Sequence, residues 1–168
     1  MRPVILIVMG VTSTGKTTIG ELLAERLGAP FAEGDRYHPE ANIAKMSAGT
    51  PLNDEDRWPW LDAIAADIAR WDAQDQSAVV TCSALKRSYR DRLRAASDGV
   101  RFVFLDGDEE LIAGRMAERK HHFMPTSLLK SQLATLERPE GEPDVITVGV
   151  GRTPEQIVDD VMATLEAE

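Results

Sequence analysis

Cysteine is nearly missing from this chain. Cys82 is the only one among 168 residues, which excludes an internal disulfide and a thiolate zinc cluster. Positive charge is also scarce, with 19 Lys and Arg against 28 Asp and Glu and a net charge of -9. A protein that works through phosphate-backbone contacts carries the opposite sign or a dense basic stripe, so nucleic acid is not an expected partner. Long apolar runs are absent as well. The stretch Val4 to Met9 is too short for a signal-peptide core and leads directly into glycine. Nothing approaches the roughly 20 apolar residues of a membrane span. The expectation is a cytoplasmic protein with no membrane partner. No repeat, low-complexity tract or Gly/Ser linker divides the chain, and its 43% hydrophobic and 28% charged fractions are those of ordinary globular proteins. Residues 1–168 therefore read as a single domain.

What is present is a regular alternation of strand-like and helix-like segments. Val4 to Val8 is a continuous apolar, mostly β-branched run, as expected of a parallel strand covered on both faces. Ile19, Leu22, Leu23 and Leu27 then share one helix face, with Gly28 as the stop. Further strands are expected near 30–33, at 78–82, 101–105 and 144–148. Helices are expected from Pro59 at N1, over 83–96, 108–120 and 127–137, and from a capping box at Thr153-Pro154-Glu155-Gln156. A short helix and a loop fill 38–56. The fold class is α/β, a mainly parallel five-stranded sheet with helices on both faces. Ligands on such a sheet sit beyond the carboxyl ends of the strands, so the loops after Val8, Glu33, Cys82 and Leu105 should line one crevice.

Gly10-Val-Thr-Ser-Thr-Gly15-Lys16-Thr17 matches G-x-x-x-x-G-K-[ST] in full, between a buried strand and a helix start. In that context the backbone N–H groups of Gly10, Val11, Thr12, Ser13, Thr14, Gly15, Lys16, Thr17 and Thr18 and the positive end of the helix would cradle a polyphosphate. Lys16 would reach the β and γ oxygens of ATP, and the Thr17 hydroxyl would ligate Mg2+. No Asn-Lys-x-Asp base-reading motif is present, which argues against a GTP switch. Phe102 to Asp106 partly imitates the acid-tipped strand of a motor ATPase, but Gly107 follows and no adjacent catalytic Glu is present.

The order of segments resembles the nucleoside-monophosphate-kinase branch of the P-loop fold, and the motifs resemble the gluconate kinase family. The marks are Gly34-Asp35-x-x-His38-Pro39, Asn42-Ile43-x-Lys45-Met46 and Gly49-x-Pro51-Leu52-Asn53-Asp54-x-Asp56-Arg57-x-Pro59-Trp60-Leu61. Cys82-Ser83-Ala84-Leu85-Lys86-x-x-Tyr89-Arg90 and His122-Phe123-Met124 complete them. The resemblance implies ATP-dependent phosphorylation of D-gluconate to 6-phospho-D-gluconate, with Mg2+, a homodimer and a mobile lid over about 115–130. Another small-molecule kinase of the shikimate-kinase type stands as the alternative, although the Gly-Gly-Gly of that family after the third strand is replaced by Cys-Ser-Ala-Leu. A nucleotide-dependent regulatory ATPase is the alternative from another class. One departure lies in the loop itself: the family commonly has glycine where this chain has Ser13, and a Cβ there restricts left-handed backbone.

Asp35 follows the second strand, within expected reach of the phosphates. It reads either as the acceptor of the substrate hydroxyl proton or as a turn-stabilising aspartate, and the resemblance favours the first. His38 reads equally as a hydroxyl partner or as a residue that fixes the turn. A gluconate carboxylate calls for a basic clamp. Lys86, Arg87 and Arg90 at the start of the helix after the third strand are candidates, with Arg57 as another and Arg94 as a solvated neighbour. By the same resemblance Arg115 and Arg119 belong to the lid and would neutralise charge on the transferring phosphoryl group, and Arg152 would lie near the adenine. His121-His122 has no third ligand in view, so zinc is not expected.

Overall fold

The computed structural model describes residues 3–118 and 126–168. Among them, five strands form one fully parallel sheet: β1 (Ile5–Met9), β2 (Phe31–Glu33), β3 (Ala78–Thr81), β4 (Val100–Asp106) and β5 (Val145–Gly149). The spatial order is β2-β3-β1-β4-β5. Ile7 at the centre pairs with Val80 on one side and Phe102 on the other.

Side chains of β1 alternate between two apolar layers, as the two-residue period of a strand requires. Ile5, Ile7 and Met9 enter one layer with Trp60, Leu61, Ile64, Ile68 and Trp71 of α3 (Asp54–Ala73) and Tyr89 and Leu93 of α4 (Arg87–Arg94). Leu6 and Val8 enter the other with Ile19 and Leu23 of α1 (Lys16–Leu27) and Ile157, Val158 and Val161 of α7 (Pro154–Glu166). Every residue of β1 is fully buried, so the continuous apolar run is the signature of a strand covered on both faces. A third, smaller apolar cluster joins Val11 and Leu85 to Ile112 and Met116 of α5 (Glu109–Glu118) and Leu129 of α6 (Thr126–Thr135).

Two helix starts differ from the sequence expectation. α3 begins at Asp54 and not at Pro59. Asn53 Oδ1 accepts the Asp56 N–H at 2.8 Å while Asp56 Oδ2 accepts the Asn53 N–H at 3.0 Å, and this reciprocal cap sets the start upstream. Pro59 is thus inside the helix, where only the Glu55 carbonyl loses its partner. α4 begins at Arg87 and not at Ser83, because Ala84 has a left-handed φ of 46° that no helix accommodates. The segment from Ser83 to Lys86 is a loop at the carboxyl end of β3. The short helix expected in 38–56 is α2 (Glu40–Ser47), and the capping box on Thr153 is present. No helix among the described residues is long and apolar enough to cross a membrane.

Candidate active site

The loop between β1 and α1 has its shape fixed from within. Gly10 has φ 145°, and a Cβ on it would come within 3.0 Å of the Leu105 carbonyl oxygen on β4, so this position takes only glycine. The buried Thr14 hydroxyl donates to the Val11 carbonyl at 2.9 Å. Ser13 adopts the left-handed region (φ 62°) despite its Cβ. Lys16 Nζ donates to the Gly10 and Val11 carbonyls, both at 3.0 Å, which places the ammonium at the mouth of the loop. No side chain caps the start of α1, so its first-turn N–H groups face the loop with the positive end of the helix behind them. Oriented N–H groups, a helix start and one ammonium together suit a polyphosphate.

A cleft of about 280 Å³ opens beside this loop, lined in part by Ser13, Gly15, Thr18, Arg115, Arg152 and Pro154. It brings together residues from the loop, α5 and the start of α7. Arg115 donates to the Val150 carbonyl and Arg152 pairs with Asp160. Arg119, like His121 to Met124, lies outside the described residues.

Across the loop, the end of β2 supplies two carboxylates. Thr17 Oγ1 donates to Glu33 Oε1 at 2.7 Å, and Glu33 Oε2 accepts the Thr81 hydroxyl at 2.8 Å. With its proton committed to Glu33, the Thr17 oxygen keeps lone pairs for a cation. A hydroxyl and a carboxylate are the hard oxygen donors Mg2+ selects, so the donor set here fits that ion. Gly34 crosses so close to β3 that a Cβ on it would lie 1.9 Å from the Thr81 carbonyl oxygen. Trp60 Nε1 locks the Gly34 carbonyl at 2.7 Å. This contact sets the 3-10 turn at Gly34–Tyr37 and with it the exposed Asp35. Burial pushes the Cys82 thiol at the end of β3 up to about 12, and both Asp35 and Lys16 act on it electrostatically. The two charged groups thus converge on the carboxyl end of β3.

His38 stacks on Trp60, ring centroids 4.3 Å apart and 12° between planes. Its Nδ1 lies 3.1 Å from Asn42 Nδ2, which also donates to the Asp56 carbonyl at 2.9 Å. Nδ1 is therefore the acceptor and the proton sits on Nε2. Burial lowers the His38 pKa, with Asp35 opposing and Arg57 adding to the effect. His38 is a neutral, stacked ring that both fixes the turn and carries one N–H.

The basic clamp is smaller than the sequence suggests. Lys86 Nζ contacts both Asp54 oxygens at 3.1 and 3.2 Å, Arg57 Nη1 donates to the Tyr89 hydroxyl at 3.0 Å, and the Tyr89 hydroxyl donates to Asp54. The hydrogen bond it donates to Asp54 raises the Lys86 pKa. Arg57 and Lys86 line an open cleft with Asn53, Asp54, Glu55 and residues 134–137 at the end of α6. Arg87 is exposed, and its backbone N–H is taken by Glu137 Oε1 at 2.9 Å.

Arg90 corrects the sequence expectation of a substrate ligand. Its side chain is 0% exposed. Nε and Nη2 bind Glu142 at 2.9 and 2.8 Å, Nη1 donates to the Ala84 carbonyl at 2.8 Å and Nη2 to the Glu137 carbonyl at 2.9 Å. With the helix starting at Arg87 and not at Ser83, its register turns Arg90 inward, away from the crevice. Arg94 is not solvated either; it pairs with Glu142, Asp144 and Asp91. Burial alone would raise the Glu142 carboxyl, but hydrogen bonds and charge from Arg90 and Arg94 hold it at about 2.

Sequence reasoning gives no role to Glu33, Asp54 or Gln132. Glu33 had a usable signal, as a carboxylate at a strand end next to Gly34-Asp35. Gln132, which accepts the Thr12 N–H at 2.6 Å from across 120 residues, had none. Asp106, the one feature in favour of a regulatory ATPase, is gripped by both terminal nitrogens of Arg138 at 3.1 and 2.6 Å.

The shikimate kinase family matches residues 12–166. The chain is 47% identical to a gluconokinase of Gluconobacter oxydans over 169 aligned residues, covering 100% of this chain and 94% of that one. It is also 47% identical to the thermosensitive gluconokinase of Escherichia coli, covering 86% of this chain and 78% of that one. Among solved structures, a gluconokinase from Sinorhizobium meliloti superposes with a TM-score of 0.90 at 50% identity, covering 98% of this chain and 93% of that one. The shikimate kinase of Aquifex aeolicus, 17% identical with a TM-score of 0.60, shares the fold.

Proposed function

The chain belongs to the shikimate-kinase family of P-loop kinases and within it to the gluconokinases, and from that membership we propose the reaction ATP + D-gluconate → ADP + 6-phospho-D-gluconate, catalysed at the crevice around Gly10 to Thr17. The observation that carries this reading is the pair of clefts served by different elements. One adjoins the phosphate loop and carries Arg115 and Arg152; the other carries Lys86 and Arg57 gathered on Asp54, with Glu55 and Glu137 also on its lining. Lys86 and Arg57 are the donors in that cleft able to bind the lone carboxylate of a sugar acid, and Asp54 holds them where that carboxylate would sit.

In this reading the N–H groups of the loop other than those of Gly10 and Thr12, which bind the Ser83 carbonyl and Gln132, orient the polyphosphate with the start of α1, and Lys16 leaves the Gly10 and Val11 carbonyls for the β and γ oxygens. Asp35 accepts the proton of the attacking hydroxyl, and His38 offers Nε2–H to a neighbouring hydroxyl. Lys86 and Arg57 fix the gluconate carboxylate, with Arg87 at their edge. Thr17, oriented by Glu33, and Glu33 itself would hold Mg2+, which when bound would supply positive charge to the polyphosphate. Arg115 and Arg119, within a lid over 115–130, close on the transferring group, and Arg152 borders the base. The resemblance to the gluconate kinases supports a single domain that works as a cytoplasmic homodimer; sedimentation equilibrium checks the dimer. An ATP-consumption assay with gluconate, with shikimate and with no acceptor tests the reaction. Gluconate-dependent turnover is the expected result, and hydrolysis indifferent to acceptor would overturn it.

A further inference from the structure

One contact on the phosphate loop has no part in the reaction as described. Leu129, Leu133 and Leu136 recur at i, i+4 and i+7 and join the third apolar cluster with Val11. Residue 132 sits on the same stripe, yet it is glutamine, half-buried among these residues. A carboxamide placed there must find a partner or lose its hydration without return. Its partner is the backbone of the phosphate loop, where Oε1 accepts the Thr12 N–H at 2.6 Å. Immediately after Thr12 comes Ser13, the loop's one left-handed residue that is not glycine, at φ 62°. A Cβ residue in that region is disfavoured by a factor of about 5–30 in population. Such a conformation persists only where its surroundings over-determine it. Gln132 holds the chain on one side of Ser13, and the Thr14 hydroxyl, bonded to the Val11 carbonyl at 2.9 Å, holds it on the other.

We propose that Gln132 is a positioning residue for the nucleotide: from α6 it holds Thr12, and with it the left-handed Ser13, in the loop geometry that the phosphates occupy, supplying from outside the loop what a glycine at residue 13 would supply by itself. The assignment rests on the reading of the loop as the ATP site. It also ties that geometry to α6, so the loop takes its binding shape when the helix is docked.

A double-mutant cycle tests it. Gln132→Met keeps the volume and the apolar stripe, so the fold is retained; Ser13→Gly removes the need for support. ADP affinity by titration calorimetry without gluconate, and KM and kcat for both substrates, are measured for the parent, the two single variants and the double variant. Gln132→Met in the Ser13 protein is expected to weaken ADP binding and raise the ATP KM about 5–30-fold, with the gluconate KM little changed. In the Ser13→Gly protein the same change is expected to cost less than about twofold. An equal loss in both backgrounds, no loss in the Ser13 protein, or a loss confined to the gluconate KM would each overturn the assignment. A parent protein that fails to bind ADP would overturn the nucleotide reading itself, and with it this role for Gln132.

Discussion

Replacing Arg90 by methionine separates a structural arginine from a substrate ligand. The guanidinium is fully buried and makes four hydrogen bonds, two to Glu142 and one each to the Ala84 and Glu137 carbonyls. Removing one partner of a buried ion pair costs about 3–5 kcal/mol, because the other charge stays behind without compensation. Here Arg94 still reaches Glu142 at 2.6 Å, which moves the expectation to the lower end, about 3 kcal/mol. For a chain of this length that lowers the melting temperature by about 6–12 °C. Urea and thermal unfolding of Arg90→Met, read by circular dichroism, measure the loss. Steady-state kinetics well below the melting point give the gluconate KM. A variant that melts within about 2 °C of the parent while its gluconate KM rises about 100-fold would refute the reasoning and return Arg90 to the crevice.

Glu142 gives the same network a pH signature. Its carboxyl is held at about 2 against an ordinary 4.5, so its contribution is fully present above about pH 4.5 and is lost as pH falls through about 2. By linkage about 2 kcal/mol of it is gone at pH 3. Unfolding free energies from urea titrations at pH 6 and pH 3 should differ less in Glu142→Gln by that amount, and an unchanged difference would disprove the pairing. Asp35→Asn should lower kcat by about 10²–10⁴ with little change in the ATP KM; full turnover would leave Asp35 only its place in the turn. Lys86→Met should raise the gluconate KM by roughly 10–100-fold, as loss of a hydrogen bond to a charged group does, and an unmoved KM would take Lys86 out of the clamp.

Local signals carried most of the fold. The run at Ile5–Met9, the loop from Gly10 to Thr17 and the box on Thr153 each state their structure within a few residues, and each lies where expected. The failures came where a distant or backbone effect decided. Pro59 is a reasonable helix start until the cap on Asn53 outcompetes it. Ser83 to Lys86 reads as helix because nothing in Ala84 announces a left-handed φ. Arg90 looks like a surface cation from its i, i+4 spacing with Lys86, since its partner Glu142 lies 52 residues away. At the site, Lys16, Thr17 and Asp35 stand out as candidates in the sequence because phosphate chemistry needs those groups next to strand ends. Glu33 was within reach of the same rule, whereas Gln132 acts through a backbone N–H that any residue at 12 other than proline would supply.

Val11 gives the phosphate loop a foot in the small apolar cluster that also holds Ile112, Met116 and Leu129. Close-packed interiors register a single methylene, so a bulkier residue at 11 has to be matched by a smaller one among those three. Across relatives, the side chains beneath the loop should therefore trade volume with one another and keep their sum nearly constant, even where each position taken alone looks free to vary.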